Sequence, residues 1–235
     1  MKANNKSNVF NGSGPDDQLS SQKIEATTGL YDPQNEHDSC GLGFIVNVKG
    51  VKTHKIIQDG IKILENLEHR GATGADPLMG DGAGMLIQIP HDFFVAECTA
   101  VGFDLPSEGQ YSVGFFFTPK DKKSQKLIKD SIETIARDAG QTLLGWRVVP
   151  TNNSKLSQDP EIMAAEPMHW QGFFSRPKNL SDDAFERKIY VLRRSISNAV
   201  RGKLKREEDF YPVSMSSRTI VYKGMFLADQ LAPYY

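Results

Sequence analysis

The sequence predicts a layered domain of mixed helices and strands, of the α+β or α/β class. Two observations support this prediction: the alternation of two kinds of segment, and the length and composition of the chain. Short runs rich in β-branched and aromatic residues alternate with longer segments in which apolar residues recur at helical spacing. The chain has 235 residues, of which 39% are hydrophobic and 24% charged. A chain of this length and composition can bury a core, as one large domain or as two small ones.

The composition excludes several classes of function. The net charge of −1 argues against a nucleic-acid or membrane-surface role, which would need a concentrated basic face. No stretch approaches the roughly 20 apolar residues of a membrane span, and residues 1–28 lack the apolar core of a secretory signal. The two cysteines, Cys40 and Cys98, do not make a disulfide scaffold, which favours a reducing compartment. We therefore expect a cytoplasmic protein.

The chain opens with a polar segment. Residues 1–28 are rich in Asn, Ser, Gly, Gln and Asp and hold few large apolar side chains. Such a segment cannot bury enough surface to offset the entropy of ordering, so we expect it to be disordered. Order is expected to begin near residues 29–33. From composition alone, a propeptide and a plain floppy tail both stay open.

The first ordered elements precede a glycine-rich loop. Residues 41–49 predict a buried strand, because five large apolar side chains fall within nine positions. Residues 55–69 predict a helix with one apolar face, for which Gly71 suits the C-cap. The loop 71–84 holds five Gly and one Pro, so its backbone dominates its structure.

The rest of the chain continues the alternation. Further strands are predicted at 85–89, 111–118, 143–149, 170–174 and 213–222, and further helices at 122–139 and 184–200. A polar linker is expected after residue 149, and a short apolar segment at 225–235. The helix 184–200 has the clearest apolar face, formed by Phe185, Ile189, Leu192, Ile196 and Val200. We interpret its opposite face as solvated; that face carries Arg187, Lys188, Arg193, Arg194 and Arg201.

Cys40 is the strongest candidate for chemistry. If the bond between Ser39 and Cys40 were cut, this thiol would share its residue with a free α-amine, a group whose reference pKa is roughly 8. An N-terminal amine can activate its own side-chain nucleophile. Gly41 and Gly43 would leave room for a substrate carbonyl. The alternative is a buried structural cysteine, which is the commoner fate of a lone Cys.

Two further features could support such a nucleophile. Backbone N–H groups of residues 80–84 could face a developing oxyanion, and Arg70 could hold a substrate or an active-site carboxylate by a bidentate contact. Each has a simpler interpretation. A glycine-rich loop is most often a turn, and an Arg after a helix is most often a partner of the helix dipole.

Nucleotide and metal sites are disfavoured. Gly80, Gly82 and Gly84 do not match the dinucleotide-binding spacing, and no Lys-Ser/Thr follows them as in a P-loop. The candidate metal ligands lack any His-x-x-x-His or Cys-x-x-Cys spacing. Those candidates are Glu36, His37, Asp38, Cys40, His69, Asp76 and Asp81.

Three motifs in order change the interpretation. They are Gly-Leu-Tyr-Asp-Pro…Glu-His-Asp-Ser-Cys-Gly-Leu-Gly-Phe (29–44), Leu-Glu-His-Arg-Gly-Ala-Thr-Gly-Ala-Asp-Pro…Gly-Asp-Gly-Ala-Gly (67–84) and Ser-Ser-Arg-Thr-Ile-Val-Tyr-Lys-Gly-Met (216–225). Together they resemble the amino-terminal segment of glutamate synthase large subunits. The resemblance covers essentially everything from residue 29 onward.

The resemblance implies a fold and a reaction. That family begins with a class II glutamine amidotransferase domain, an N-terminal-nucleophile hydrolase with a four-layer αββα sandwich. Residues 1–39 would then be a leader that is removed, and 40–235 the front part of the domain. Cys40 would be the nucleophile, and Arg70 and Gly71 would support the active site. The domain would hydrolyse L-glutamine and pass the ammonia to 2-oxoglutarate in a synthase domain of the same enzyme.

The resemblance also implies cofactors and partners. No cofactor and no metal are expected in this segment, whereas FMN and an iron–sulfur cluster would lie in the downstream synthase domain. Electrons would come from a reduced nicotinamide cofactor, through a small electron-transfer subunit, or from ferredoxin. Neither nucleic acid nor a membrane is an expected partner.

The sequence also departs from the family pattern. The family's substrate-holding His-Ser-Arg segment and its Asn-Gly oxyanion motif follow the third motif, and residues 40–235 contain no Asn-Gly pair. We therefore expect the isolated chain to be inactive, since one lost oxyanion donor costs on the order of 10²–10³ in rate. A non-catalytic truncated fragment is the alternative. A sugar- or purine-pathway amidotransferase fits poorly, because 39 residues precede the cysteine.

Overall fold

Two antiparallel sheets form the centre of the computed structural model, which describes residues 40–235. The strands are β1 (Ala83–Gln88), β2 (Tyr111–Thr118), β3 (Leu143–Val148), β4 (Met168–Ser175), β5 (Tyr211–Ser216) and β6 (Thr219–Gly224). The helices are α1 (His54–Asn66), α2 (His91–Ala100), α3 (Lys122–Asp138), α4 (Pro160–Ala165), α5 (Asp182–Arg201) and α6 (Leu231–Tyr234). Short 3₁₀ turns lie at Glu68–Arg70, Glu207–Asp209 and Ala228–Gln230.

The larger sheet has the strand order β3-β4-β2-β5. Its central strand β2 pairs with β4 on one side and with β5 on the other, so that Val113 lies opposite both Phe173 and Ser216. Successive side chains of β2 enter two different cores, as the alternation of a strand requires. Phe116 packs in the core with the helices, and Phe115 packs in the core between the sheets.

Helices α3 and α5 cover one face of the larger sheet. Each begins at a side-chain cap, since Asp121 accepts a hydrogen bond from the Ser124 N–H and Ser181 accepts one from the Ala184 N–H. Their apolar stripes are buried together with Phe116 of β2. The stripe residues are Ile128, Ile132, Ala136, Phe185, Ile189, Leu192, Ile196 and Val200.

The smaller sheet, β1 and β6, covers the other face. Ile220 of β6 is buried with Tyr111, Val113 and Phe115 of β2. Beyond this sheet, Leu64 of α1 packs in a third cluster whose buried members are Phe226, Leu231 and Tyr234, with Ala83 and Met85 of β1 packed alongside. The layer order is therefore helices, sheet, sheet and helix. This confirms the α+β fold and matches the αββα order that the resemblance implies.

A polar network crosses the layer between the sheets. Arg147 of β3 donates to the Glu97 carboxylate and to Gln171 Oε1 (3.0 Å), and Gln171 Nε2 donates to the Tyr222 hydroxyl (3.0 Å). Arg147 is buried, so these partners compensate its lost hydration. The chain of contacts links β3 and β4 of the larger sheet to β6 of the smaller one.

The predicted strand 213–222 is wrong in one respect, because it is two strands in different sheets. The chain leaves β5 at Ser216 and enters β6 at Thr219, so it changes sheets across Ser217 and Arg218. The Glu186 carboxylate of α5 holds this crossing, since it accepts from the Ser217 N–H (2.7 Å) and the Ser216 hydroxyl (3.1 Å). A continuous apolar pattern does not reveal such a change of partner.

The predicted strand 41–49 is also wrong. These residues adopt no regular secondary structure, and Leu42, Phe44 and Val48 are 91%, 87% and 97% exposed. The physical reason is that no other strand within residues 40–235 pairs with them, so nothing satisfies their backbone as a sheet would.

Three helices lie where none is predicted: α2, α4 and α6, the last within the predicted apolar segment 225–235. α2 has no dominant apolar face in its sequence, and α4 lies in the predicted polar linker. The signal for α4 is local: Asp159 accepts from the Glu161 N–H (2.8 Å), and Pro160 occupies the first helical position. The predictions of disorder at 1–28 and of a leader at 1–39 lie outside the described residues. Within 40–235, no helix is long and apolar enough to cross a membrane.

Candidate active site

Cys40 is exposed and its thiol is free of a disulfide. The two glycines that follow it lie against the apolar face of α1. A Cβ added at Gly43 would stand 2.2 Å from Ile63 Cγ2, and one added at Gly41 would stand 3.1 Å from Leu67 Cδ2. The small size of these residues therefore lets the backbone after Cys40 approach α1 closely.

Cys98 has the opposite environment. It lies on α2 in the core between the sheets and is fully buried. Burial raises the pKa of the Cys98 thiol to about 12; the charge of Arg147 lowers it by a smaller amount, and that of Glu97 adds to the rise. Because the thiolate is the nucleophilic form, Cys98 is unsuited to nucleophilic catalysis at neutral pH.

Arg70 and Gly71 lie where α1 runs into the glycine-rich loop. The helix ends at Asn66 and continues as the 3₁₀ turn Glu68–Arg70, in which the Arg70 N–H donates to the Leu67 carbonyl (2.8 Å). Arg70 is exposed. Gly71 follows in an extended conformation, with φ −85° and ψ 157°. A Cβ there would stand 3.3 Å from the Glu68 carbonyl oxygen and 3.5 Å from Asp81 Oδ1.

The glycine-rich loop, residues 71–84, folds back on itself as a hairpin. The Asp81 N–H donates to the Ala72 carbonyl (3.1 Å), Thr73 forms a β-bridge with Gly80, and the Gly74 N–H donates to the Met79 carbonyl (2.9 Å). These contacts bring the two ends of the loop together. Gly71 and Asp81, ten positions apart in sequence, therefore lie side by side.

The structure narrows the choice of backbone N–H groups at 80–84 that could face an oxyanion. The Asp81 N–H is used within the hairpin, and Ala83 and Gly84 belong to β1, where they pair with Gly224 and Lys223. Gly82 lies between these two pairings and adopts a φ of 133°, which favours glycine. Of the predicted wall, Gly82 is the residue that neither the hairpin rungs nor the strand register engages.

Asp76 holds the tip of the loop. Its carboxylate accepts hydrogen bonds from the Ser157 hydroxyl and from the Leu78 N–H (2.8 Å). The same two bonds, Ser157 first, lower the pKa of Asp76 below its usual value. Asp76 was among the candidate metal ligands, and no local pattern of the sequence indicates its contact with Ser157. Among residues 40–235, no group of three or more His, Cys, Asp or Glu side chains is arranged to hold a metal ion.

Known proteins resemble this chain over most of its length. The sequence profile of the class-II glutamine amidotransferases matches residues 40–235. The glutamate synthase (NADPH) large chain of Bacillus subtilis is 41% identical over 88% of this chain and 13% of its own length. The glutamate synthase (NADH) of Saccharomyces cerevisiae is 37% identical over 88% of this chain and 10% of its own length.

A ferredoxin-dependent relative matches this chain to a similar extent. The chloroplastic/mitochondrial ferredoxin-dependent glutamate synthase 1 of Arabidopsis thaliana is 37% identical over 88% of this chain and 12% of its own length. The chain thus spans a small part of the curated relatives that it matches. The profile match covers most of the chain and begins at the exposed cysteine, and the chain belongs to the class-II glutamine amidotransferase family.

Proposed function

We propose that residues 40–235 form the glutamine-hydrolysing, ammonia-releasing part of a glutamate synthase, with Cys40 as nucleophile. One observation carries this proposal: the family match over 40–235 begins at an exposed cysteine. The other cysteine, Cys98, is buried and protonated, which leaves Cys40 as the thiol suited to attack. The fold supports the proposal, because its layer order is that of N-terminal-nucleophile hydrolases.

The proposed mechanism uses one residue as both nucleophile and base. Removal of residues 1–39 frees the α-amine of Cys40, which accepts the proton of its own thiol. The thiolate attacks the side-chain amide carbon of glutamine and forms a tetrahedral adduct. The protonated amine then gives its proton to the departing ammonia, leaving a γ-glutamyl thioester. Water, deprotonated by the amine, hydrolyses the thioester to glutamate and restores the thiol.

Arg70 and Gly71 are proposed to support this site. Arg70 lies on an exposed turn at the end of α1, and its guanidinium is proposed to bind a carboxylate of substrate or protein. Gly71 is next to Asp81 across the base of the glycine-rich loop, and a larger side chain there would crowd both Asp81 and the Glu68 carbonyl. Together they join α1 to that loop.

We propose that the ammonia is used by a synthase domain of the same enzyme, which carries FMN and an iron–sulfur cluster outside these residues. The relatives support this arrangement, since all three are glutamate synthases far longer than the matched segment. Their names specify NADPH, NADH and ferredoxin, yet their identities to this chain are similar. The amidotransferase domain is therefore proposed to be common to all three types, with the electron donor selected elsewhere in the enzyme.

The test is a pair of cysteine variants in the complete enzyme. We expect Cys40→Ser to abolish glutamine-dependent glutamate formation while ammonia-dependent formation continues, because the synthase domain does not need the thiol. Cys98→Ala is the matched control and should retain both activities. Glutamine use by Cys40→Ser would refute the proposed nucleophile. Intact-mass measurement of the mature wild-type protein should find Cys40 as its first residue.

A further inference from the structure

Gln230 joins three chain segments at the glycine-rich loop. Its Nε2 donates to the Leu78 carbonyl (3.0 Å) and to the Lys155 carbonyl (3.1 Å), and its Oε1 accepts from the Leu227 N–H (2.9 Å). The residue is only 2% exposed. Both the donor and the acceptor ends of the buried amide are engaged, so this side chain fits one position of the surrounding backbone.

The loop depends on polar tethers because its apolar side chains bury little surface. Leu78, the large apolar residue at its tip, is 47% exposed, and residues 71–75 are exposed throughout. A segment with few buried apolar contacts opens easily unless hydrogen bonds fix it. Two side chains supply those bonds from outside the loop: Gln230 at Leu78, and Ser157 at Asp76.

The hydrogen bonds and the β-bridge of the hairpin connect its tip to its base. Its rungs run from Gly74–Met79 through Thr73–Gly80 to Ala72–Asp81. Gly80 is also pressed against the segment that carries Gln230, since a Cβ there would stand 2.2 Å from the Phe226 carbonyl oxygen. These contacts connect Leu78 to Asp81 and the adjoining Gly71.

We propose that Gln230 is a positioning residue for glutamine hydrolysis: by fixing the glycine-rich loop, it fixes the placement of Gly71 and the preceding Arg70. This inference rests on the proposed function, because it assigns those two residues to the support of the active site. Displacement of such a support by 1 Å can cost about 10²-fold in rate. Gln230 itself would touch no substrate and would act through the loop.

The test compares two Gln→Glu variants in the complete, processed enzyme. Gln230→Glu keeps an acceptor for the Leu227 N–H but places a carboxylate against two carbonyl oxygens. Gln125→Glu is the matched control, since Gln125 Nε2 also donates to two carbonyls, those of Pro119 (3.0 Å) and Lys120 (3.1 Å), but lies on α3, outside the loop and outside the segments that contact it.

We expect Gln230→Glu to raise the KM for glutamine about tenfold and to lower kcat/KM by about 10²-fold. Ammonia-dependent glutamate formation should stay within about twofold of wild type in both variants, and Gln125→Glu should resemble wild type throughout. A second measurement reports the loop directly. Hydrogen exchange at the Gly74 and Asp81 amides should accelerate in Gln230→Glu, while exchange in β2 stays unchanged.

Two kinetic results would overturn the inference. One is equal glutamine kinetics in the two variants. The other is a parallel loss of glutamine- and ammonia-dependent kcat with an unchanged KM, which indicates fewer folded molecules rather than a displaced loop. The Cys40→Ser variant separates this inference from the proposed function. If that variant still used glutamine, the proposed function would fail, and unchanged exchange at Gly74 and Asp81 would independently refute the tether.

Discussion

Residues 42–48 and strand β2 have similar sequence patterns and opposite structures. Both are short runs of large apolar residues, and both predict a buried strand. In β2, Phe115 and Phe116 are fully buried, whereas Phe44 is 87% and Leu42 91% exposed. The difference is in their neighbours: β2 pairs with β4 and β5 and has a core on each face, while no strand within residues 40–235 pairs with 42–48.

This contrast shows what an apolar run specifies. An apolar strand pattern indicates that a segment can be buried in a sheet. Whether the segment is buried depends on pairing strands elsewhere in the chain. The stability of the described fold should therefore depend on β2 and hardly at all on 42–48. Three experiments test this contrast between core and periphery, in order of decreasing expected effect.

The largest effect should come from two phenylalanines. Phe116→Ala removes a fully buried ring from the core with α3 and α5, so we expect the free energy of unfolding to fall by about 3–5 kcal/mol. Phe44→Ala removes an exposed ring and should change it by less than about 0.5 kcal/mol. Urea denaturation of the two variants measures both values. Equal losses would mean that Phe44 is buried in solution.

An intermediate effect should come from two glycines of the hairpin. Gly80→Ala would place a Cβ 2.2 Å from the Phe226 carbonyl oxygen, and we expect the forced backbone shift to cost about 1–3 kcal/mol. Gly74→Ala meets only the Met79 oxygen at 3.8 Å, an ordinary contact, and should cost less than about 1 kcal/mol. Thermal unfolding of both variants gives the difference. Identical unfolding temperatures would show that the loop is not pressed against the Phe226 segment.

The smallest effect should come from the buried thiol. The pKa of Cys98 rises from 9.0 to about 12 on folding, so between these values the unfolded chain has lost the proton that the folded chain retains. Stability is therefore intact below pH 9 and decreases as the pH rises through 9 toward 12, by about 1 kcal/mol at pH 9.5. Urea denaturation from pH 7.5 to 9.5 measures this slope. Cys98→Ala should flatten it, and an unchanged slope would assign it to other groups, such as Tyr111.

Much of the core could be predicted from the sequence. Strand 111–118 was predicted with its observed bounds, and helices α3 and α5 within a few residues, because their apolar periodicity is long and regular. α2 was missed because its apolar residues do not segregate to one face. The division of 211–224 between two sheets was missed because periodicity does not identify a strand's partner.

The candidate site was predictable only in part. Motif resemblance pointed to Cys40, Arg70 and Gly71, and their catalytic and supporting roles stay predictions, as do the leader and the cytoplasmic location. The tether of the loop could not be foreseen, because Gln230 and Leu78 are 152 positions apart and a hydrogen bond between them leaves no local pattern. The same holds for Asp76 and Ser157, which are 81 positions apart.

The pairing of β1 with β6 determines when this part of the chain can fold during synthesis on the ribosome. Ala83 pairs with Gly224. β1 is therefore synthesised early, and its partner strand β6 is synthesised only after almost all of the matched region. Domains fold as units while the chain grows at about 5–20 residues per second. The glycine-rich loop leads directly into β1 and is anchored by Gln230, so its shape is completed among the last events of translation through this region. The nascent chain consequently contains Cys40 well before the glycine-rich loop can reach its final structure.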